Sequence, residues 1–166
     1  MTKVLVAYMS STGNTKKVAE AIYGAISAEK ELKPISEVED LGGYDLAFLG
    51  FPTRMMGPDK KAKKLLERHC TQGRKVALFV THGAREDEPD VQEWMAKFKQ
   101  AASGAELVGA FDCQGQMASG VKTVIKIFGD KELKAKVRAD SSAGQPDEAR
   151  LERARAFATE TMSRLG

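Results

Sequence analysis

The chain has 166 residues, 42% hydrophobic and 30% charged, which fits one globular domain (1–166) with room for a sizeable core. A formal net charge of +3, scattered along the chain, excludes a nucleic-acid footprint, and no apolar run is long enough to span a membrane. Cys70 and Cys113 have neither metal-ligand nor C-x-x-C spacing and the first residues lack a signal-peptide shape, so the expectation is a cytoplasmic protein with free thiols, bound to neither nucleic acid nor membrane.

Lys3 to Tyr8 is a short, nearly continuous apolar run, the pattern of a strand covered on both faces. It runs into Ser10-Ser11-Thr12-Gly13-Asn14-Thr15, a tight hydroxyl-rich turn, and a helix opens near Thr15. A turn feeding a helix N-terminus presents unpaired backbone N–H groups at the positive end of the helix dipole, which is an anion site before any side chain is counted. Ser10, Ser11, Thr12 and Thr15 add hydroxyl donors, and Gly13 lets the backbone bend. The turn carries no Lys or Arg, and a cradle of neutral donors suits a phosphate held permanently, as in a mononucleotide cofactor. The Gly-Lys-Ser/Thr loop of nucleoside triphosphate sites is absent, as is the dinucleotide Gly-x-Gly-x-x-Gly. An ordinary strand-to-helix turn with Ser/Thr caps has the same composition, so the turn alone leaves both readings open.

Val18, Ile22, Ala25 and Ile26 recur at helical spacing, and Leu32 to Val38 supplies a second strand, with Pro34 near its start suiting an edge. Asp45 to Phe51 is a strong apolar strand that runs into Pro52-Thr53-Arg54-Met55-Met56-Gly57-Pro58. A helix follows from Asp59, with Ala62, Leu65 and Leu66 inward and Lys60, Lys61, Lys63 and Lys64 solvated. His69 reads as surface, and Cys70 as a helix-end residue without a partner. Lys75 to Thr81 is the third strong strand, with His82-Gly83-Ala84 as its exit turn; Glu86-Asp87-Glu88 beside it reads as a solvated loop, with a partner-facing acidic run as the alternative. Val91, Trp94, Met95 and Phe98 mark an amphipathic helix in which Trp94 is a core residue, and Glu106 to Cys113 is the last strand. Val121, Val124, Ile125 and Phe128 repeat at helical spacing, Leu133 to Val137 continues as a second piece, and Ser141 to Gln145 reads as a flexible connector. Pro146 fits the first turn of a final helix whose inner face is Leu151, Ala154, Phe157, Ala158 and Met162.

Strand and helix thus alternate five times, which implies a parallel sheet with helices on both faces and right-handed crossovers. Ligands on such sheets sit beyond the carboxyl ends of the strands. The turns at 10–15, 52–58 and 82–85 follow the three strongest strands and share that edge.

With these motifs in place the chain resembles the flavodoxin family. Ser10-Ser11-Thr12-Gly13-Asn14-Thr15 matches the family's Ser/Thr-x-Thr-Gly-x-Thr phosphate loop position by position. Phe48-Leu49-Gly50-Phe51-Pro52, Phe111 to Met117 and Gln145-Pro146-Asp147-Glu148 are similar to a bacterial branch of the same family. The resemblance implies an α/β fold, a three-layer doubly wound five-stranded parallel sheet of order 2-1-3-4-5. It implies non-covalent FMN, with the phosphate in Ser10, Ser11, Thr12, Gly13, Asn14 and Thr15. The ring would lie between Pro52, Thr53, Arg54, Met55, Met56 and Gly57 on one side and Thr81, His82, Gly83 and Ala84 on the other. Met56-Gly57 matches the peptide that turns its carbonyl toward flavin N5–H when the ring takes up one electron and a proton. The implied activity is shuttling of single electrons between redox protein partners, a reductase and an acceptor. No metal is implied, and the sequence carries no signal for an oligomeric state.

Two departures carry expectations. Met55, Met56, Phe51 and His82 stand where the family stacks Trp or Tyr on the ring, which predicts moderate FMN affinity. The chain is slightly basic where many relatives are acidic, which predicts a less negative potential for the second electron. Pro52-Thr53-Arg54 also resembles a triplet in FMN quinone reductases, so the alternative is an NAD(P)H-dependent FMN or quinone reductase. For His82 a flavin neighbour, a proton donor and a plain turn histidine are all open. For Cys113 a flavin neighbour and a buried thiol are open.

Overall fold

The computed structural model describes residues 1–165. Three strands whose residues are almost all apolar occupy the centre of the sheet, because only side chains that tolerate burial on both faces can sit there. These are β1 (Lys3–Tyr8), β3 (Leu46–Pro52) and β4 (Lys75–His82). The two edges are β2 (Glu29–Pro34) and β5 (Glu106–Gln114), both more polar. All pairings are parallel and the order is β2-β1-β3-β4-β5, the order the resemblance implied.

Alternation along each strand sends successive side chains to opposite faces. On one face Leu5, Leu49, Phe51, Leu78 and Val80 meet Ala62 and Leu66 of α2 (Lys60–His69) and Val91, Met95 and Phe98 of α3 (Pro89–Ala101). On the other face Val4, Val6, Phe48, Ala77 and Phe79 meet Val18, Ala19 and Ile22 of α1 (Asn14–Ala25) and Ala154 and Ala158 of α6 (Glu148–Ser163). Phe48, Phe51, Phe79 and Phe98 are fully buried, each worth about 1.5–3 kcal/mol of apolar transfer. Trp94, expected in the core, is only half-buried and packs against the first of these clusters.

Between β5 and α6 the chain makes a helical pair, α4 (Ser119–Phe128) and α5 (Lys131–Arg138). The periodicity at Val121, Val124 and Phe128 is real, but it faces outward. None of the α4 residues is buried, and Phe128 is 82% exposed.

Several local expectations need correction. The second strand lies at Glu29–Pro34, not Leu32 to Val38, and Pro34 closes it. Its alternate residues are charged because one side meets solvent, where Lys3 pairs with Glu29 and Glu31. Ile35–Glu37 is instead a single 3-10 turn that buries Ile35. His69 is buried, since it continues the inner stripe of Ala62 and Leu66 by one further turn. Burial lowers its pKa, and its Nε2 has no partner. Pro146 precedes α6 rather than entering it, and Asp147 is the N-cap, accepting the Arg150 N–H at 3.0 Å. Ser141 to Gln145 is not a loose connector. Ser142 is fully buried and its Oγ accepts the Met117 N–H at 2.9 Å.

Candidate functional site

The three central strands run parallel and end at the same edge of the sheet, β1 two residues short of β3, with Tyr8 opposite Gly50 and Pro52 opposite Thr81. Their exit turns therefore meet at the carboxyl edge of the sheet, at the place where topology puts ligands. Cross-links between the turns are direct. Met9 N–H donates to Gly50 O at 2.9 Å, and Thr53 N–H to Thr81 O at 2.7 Å. The hydroxyls of Thr15 and Thr81 share a buried hydrogen bond of 2.8 Å.

In the first turn Gly13 takes a left-handed conformation, φ 94°, that a side chain would strain. It caps α1 without a side-chain bond, and its own N–H donates to Ser10 Oγ at 3.1 Å. Among the described residues no acceptor bonds the N–H groups of Thr12, Asn14, Thr15 or Lys16. Those of Asn14, Thr15 and Lys16 are the orphan donors of a helix start and that of Thr12 belongs to the turn before it; nothing among the described residues satisfies them. The expected hydroxyl set is only partly free, because Thr15 turns inward to Thr81 while Ser11 and Thr12 stay exposed.

The second turn is tighter than its sequence shows. Arg54 N–H donates to Gly57 O at 2.9 Å, and both Met55 (φ 50°) and Met56 (φ 65°) are left-handed. Left-handed backbone costs a non-glycine residue about 1–2 kcal/mol. The Met56 carbonyl accepts from Lys97 Nζ at 3.2 Å. Met55 is 96% and Met56 62% exposed. Thr53 Oγ1 is buried and has no partner. Arg54 does not stay beside its own turn. Its Nη2 donates to Ser11 Oγ at 2.9 Å, and its Nη1 reaches Asp59 at 3.4 Å.

In the third turn His82 is buried, and its ring points down the α3 face rather than out of the edge. Nδ1–H donates to the Ala84 carbonyl at 2.9 Å, Nε2 lies 3.0 Å from Asp112, and Trp94 meets the ring edge-on. Both ring nitrogens are thus engaged, so His82 acts here through its backbone and its packing. Gly83 has Met117 close above it, where a Cβ would sit 3.1 Å from the methionine methyl. Glu86 is not a solvated loop residue. It accepts Arg150 Nε at 2.8 Å, Arg153 Nη2 at 2.8 Å and the Gln114 N–H at 3.0 Å, tying this turn to α6 and β5.

Residues 115–117 form a fourth wall that the sequence did not point out as one. Asn14 Nδ2 donates to Gln116 O at 2.9 Å, Gly115 N–H to His82 O at 2.8 Å and Gln116 N–H to Gln145 O at 2.9 Å. Gly115 is required there, since a Cβ would lie 2.8 Å from the Asn14 amide nitrogen. Cys113 is fully buried and burial pushes its thiol up to about 12, so it presents no thiolate to the site. Cys70 is likewise buried and free.

For the flavin mononucleotide that the resemblance implies, the fit turns on donors at 10–15 and on unsatisfied polar atoms nearby. The four orphan N–H groups suit a phosphate monoester, and the unpartnered Thr53 hydroxyl stands in the adjoining turn. No cluster of His, Cys, Asp and Glu able to hold a metal occurs among the described residues. No helix among them is long and apolar enough to cross a membrane.

The chain is 35% identical over 171 residues to the flavodoxin-like domain-containing protein BilS of Clostridioides difficile (strain CD3), covering 96% of each. It is 30% identical over 119 residues to the flavodoxin of Megasphaera elsdenii, covering 64% of this chain and 82% of that one. A flavoprotein of Lactobacillus acidophilus solved in complex with FMN superposes with a TM-score of 0.55 at 22% identity, covering 68% of this chain and 93% of that one. The family described as the flavodoxin domain matches residues 5–159, and the order of strands is that of the flavodoxin fold: this chain belongs to the flavodoxin family.

Proposed function

We propose that this protein binds FMN non-covalently and carries single electrons between redox protein partners. One observation carries the reading: four unsatisfied N–H groups at the start of α1 open onto an edge walled by 52–57 and 81–84. When bound, the flavin supplies the electron chemistry, and the protein supplies position and electrostatics. The N–H groups of Thr12, Asn14, Thr15 and Lys16 would hold the phosphate. Met55 and Met56 would pack on the ring, their soft sulfurs serving where aromatic residues are absent. Redox partners would approach along the same rim. The relationship to flavodoxins and to a flavoprotein solved with FMN supports this reading.

The alternative, an NAD(P)H-dependent FMN or quinone reductase, rests on Pro52-Thr53-Arg54. Against it, the Arg54 guanidinium is drawn to the 10–15 turn, where Nη2 donates to Ser11 Oγ. Mixing FMN-loaded protein with NADH or NADPH, with and without a quinone, decides between them. The carrier stays yellow until a partner reductase is added. Rapid direct bleaching overturns the carrier reading in favour of the enzyme, and a protein that ignores added FMN overturns both.

A further inference from the structure

We propose that Arg54 is the phosphate sensor of this site. Its guanidinium closes onto the FMN phosphate across the 10–15 turn and sets the preference for FMN over riboflavin. The inference rests on the FMN reading above and deepens it.

The first ground is position. Arg54 lies 43 residues from Ser11, yet Nη2 donates to Ser11 Oγ at 2.9 Å. No other basic side chain bonds the 10–15 turn among the described residues, and Lys16 leans instead toward Glu20 at 3.9 Å. The turn that reads as uncharged in sequence therefore has a cation at its rim.

The second ground is donor supply. A guanidinium has five N–H donors in a planar fork that matches two oxygens of a phosphate. Here only Ser11 and a long 3.4 Å contact with Asp59 engage it, and the side chain is 45% exposed. Donors remain for an anion. Because Arg54 donates to the Ser11 oxygen, the Ser11 hydroxyl proton is left to point at the same anion.

The third ground is aim. The bond from Arg54 N–H to Gly57 O and the left-handed Met55 and Met56 fix the turn from which the side chain leaves. Asp59 is itself fixed, accepting the Ala62 N–H at 2.7 Å as the N-cap of α2. The guanidinium can thus pass from Asp59 to a phosphate without moving the helix. Riboflavin, which lacks the phosphate, gains nothing from this cation.

The test is a fluorescence titration of apoprotein with FMN and with riboflavin, for wild type, Arg54→Gln and Arg54→Lys, at low and high NaCl. R54Q should bind FMN about tenfold more weakly, the low end for a hydrogen bond to a charged group at an exposed position. Its riboflavin affinity should stay within about twofold, and its FMN affinity should lose much of its salt dependence. R54K should recover only part of the loss, because an ammonium cannot make the fork. Equal weakening of FMN and riboflavin would assign Arg54 to the ring and overturn the inference while leaving FMN binding standing. Unchanged affinity for both ligands in R54Q would overturn it too. A wild-type protein that binds no FMN removes the underlying reading as well.

Discussion

Two glycine-to-alanine substitutions in this chain should act with opposite signs. Gly50 lies in β3 directly opposite Phe79 of β4. A Cβ there would lie 2.0 Å from Phe79 Cε2 and 2.1 Å from Cζ. Retreat to an ordinary contact of 3.4 Å would need the ring to move by about 1.4 Å through a core packed like an organic crystal. Phe79 is fully buried in the cluster that holds Phe48 and Ala158, so there is no free space to take it. Overpacking of this kind costs about 1–3 kcal/mol, and rigid backbone on both strands puts Gly50→Ala at about 3. Gly24 stands exposed near the end of α1, with nothing within 4 Å of a built Cβ. Gly24→Ala removes backbone freedom from the unfolded chain and should stabilise by about 0.5–1 kcal/mol. For a domain of this size 1 kcal/mol moves Tm by about 2–4 °C. The expected shifts are therefore about +1 to +4 °C for G24A and −6 to −12 °C for G50A. Urea unfolding followed by circular dichroism, with m unchanged, is the assay. A G50A protein within 1 kcal/mol of wild type refutes the packing argument.

Lys97→Met removes the donor that holds the Met56 carbonyl at 3.2 Å. If that carbonyl turns toward the ring on reduction, the first one-electron potential of FMN-loaded protein rises by about 20–40 mV, for an exposed bond of about 0.5–1 kcal/mol; redox titration reads it. Glu86→Ala strands Arg150 and the Gln114 N–H and should cost about 2 kcal/mol in urea unfolding, while Asp87→Ala, which loses only an exposed pair with Arg85, should cost under about 0.5. Burial pushes both Cys70 and Cys113 up to about 12 from 9.0. Each thiol is favoured folded in its neutral form, so its contribution is complete below pH 9 and is lost as pH rises toward 12; native protein at pH 8 should react with Ellman's reagent only on unfolding.

Much of this fold was legible because burial on both faces writes a plain signal. Lys3 to Tyr8, Asp45 to Phe51 and Lys75 to Thr81 could be little other than central strands, and their exit turns had to share one edge. The edge strand is not legible in the same way, because Glu29–Pro34 is held by backbone pairing with β1 and by ion pairs of Lys3, none of which gives an apolar pattern. The burial of His69 is hidden for a similar reason. Its position on the inner stripe of α2 outweighed its polarity. In the site, the Gly13 turn was visible in composition alone. The reach of Arg54 to Ser11 and of Asn14 to Gln116 was not, since contacts over 43 and 102 residues depend on tertiary placement. The buried state of Ser142 and the Glu86–Arg150 pair belong to that class too.

The second turn connects strain to use. Met55 and Met56 are both left-handed and both largely exposed. In a free protein that is doubly unfavourable: backbone strain of about 1–2 kcal/mol at each residue, and two apolar side chains left in water. Such a turn persists when something else over-determines it. Here the fixed elements are the Arg54–Gly57 bond, the Lys97 grip on Met56 and the Thr53 N–H bond to Thr81 O at the end of β3. What remains uncompensated in the protein itself is the exposed methionine surface. A planar ring seated between 52–57 and 81–84 would cover one side of it, and an approaching redox protein would cover the rest. A hydride-transferring enzyme has a different need, a walled second pocket for the nicotinamide. Two side chains beside this rim are already committed to structural bonds, His82 to Asp112 and Glu86 to Arg150, while Met55 and Met56 stay exposed. A rim with exposed methionines beside it therefore favours the proposed carrier over the enzyme.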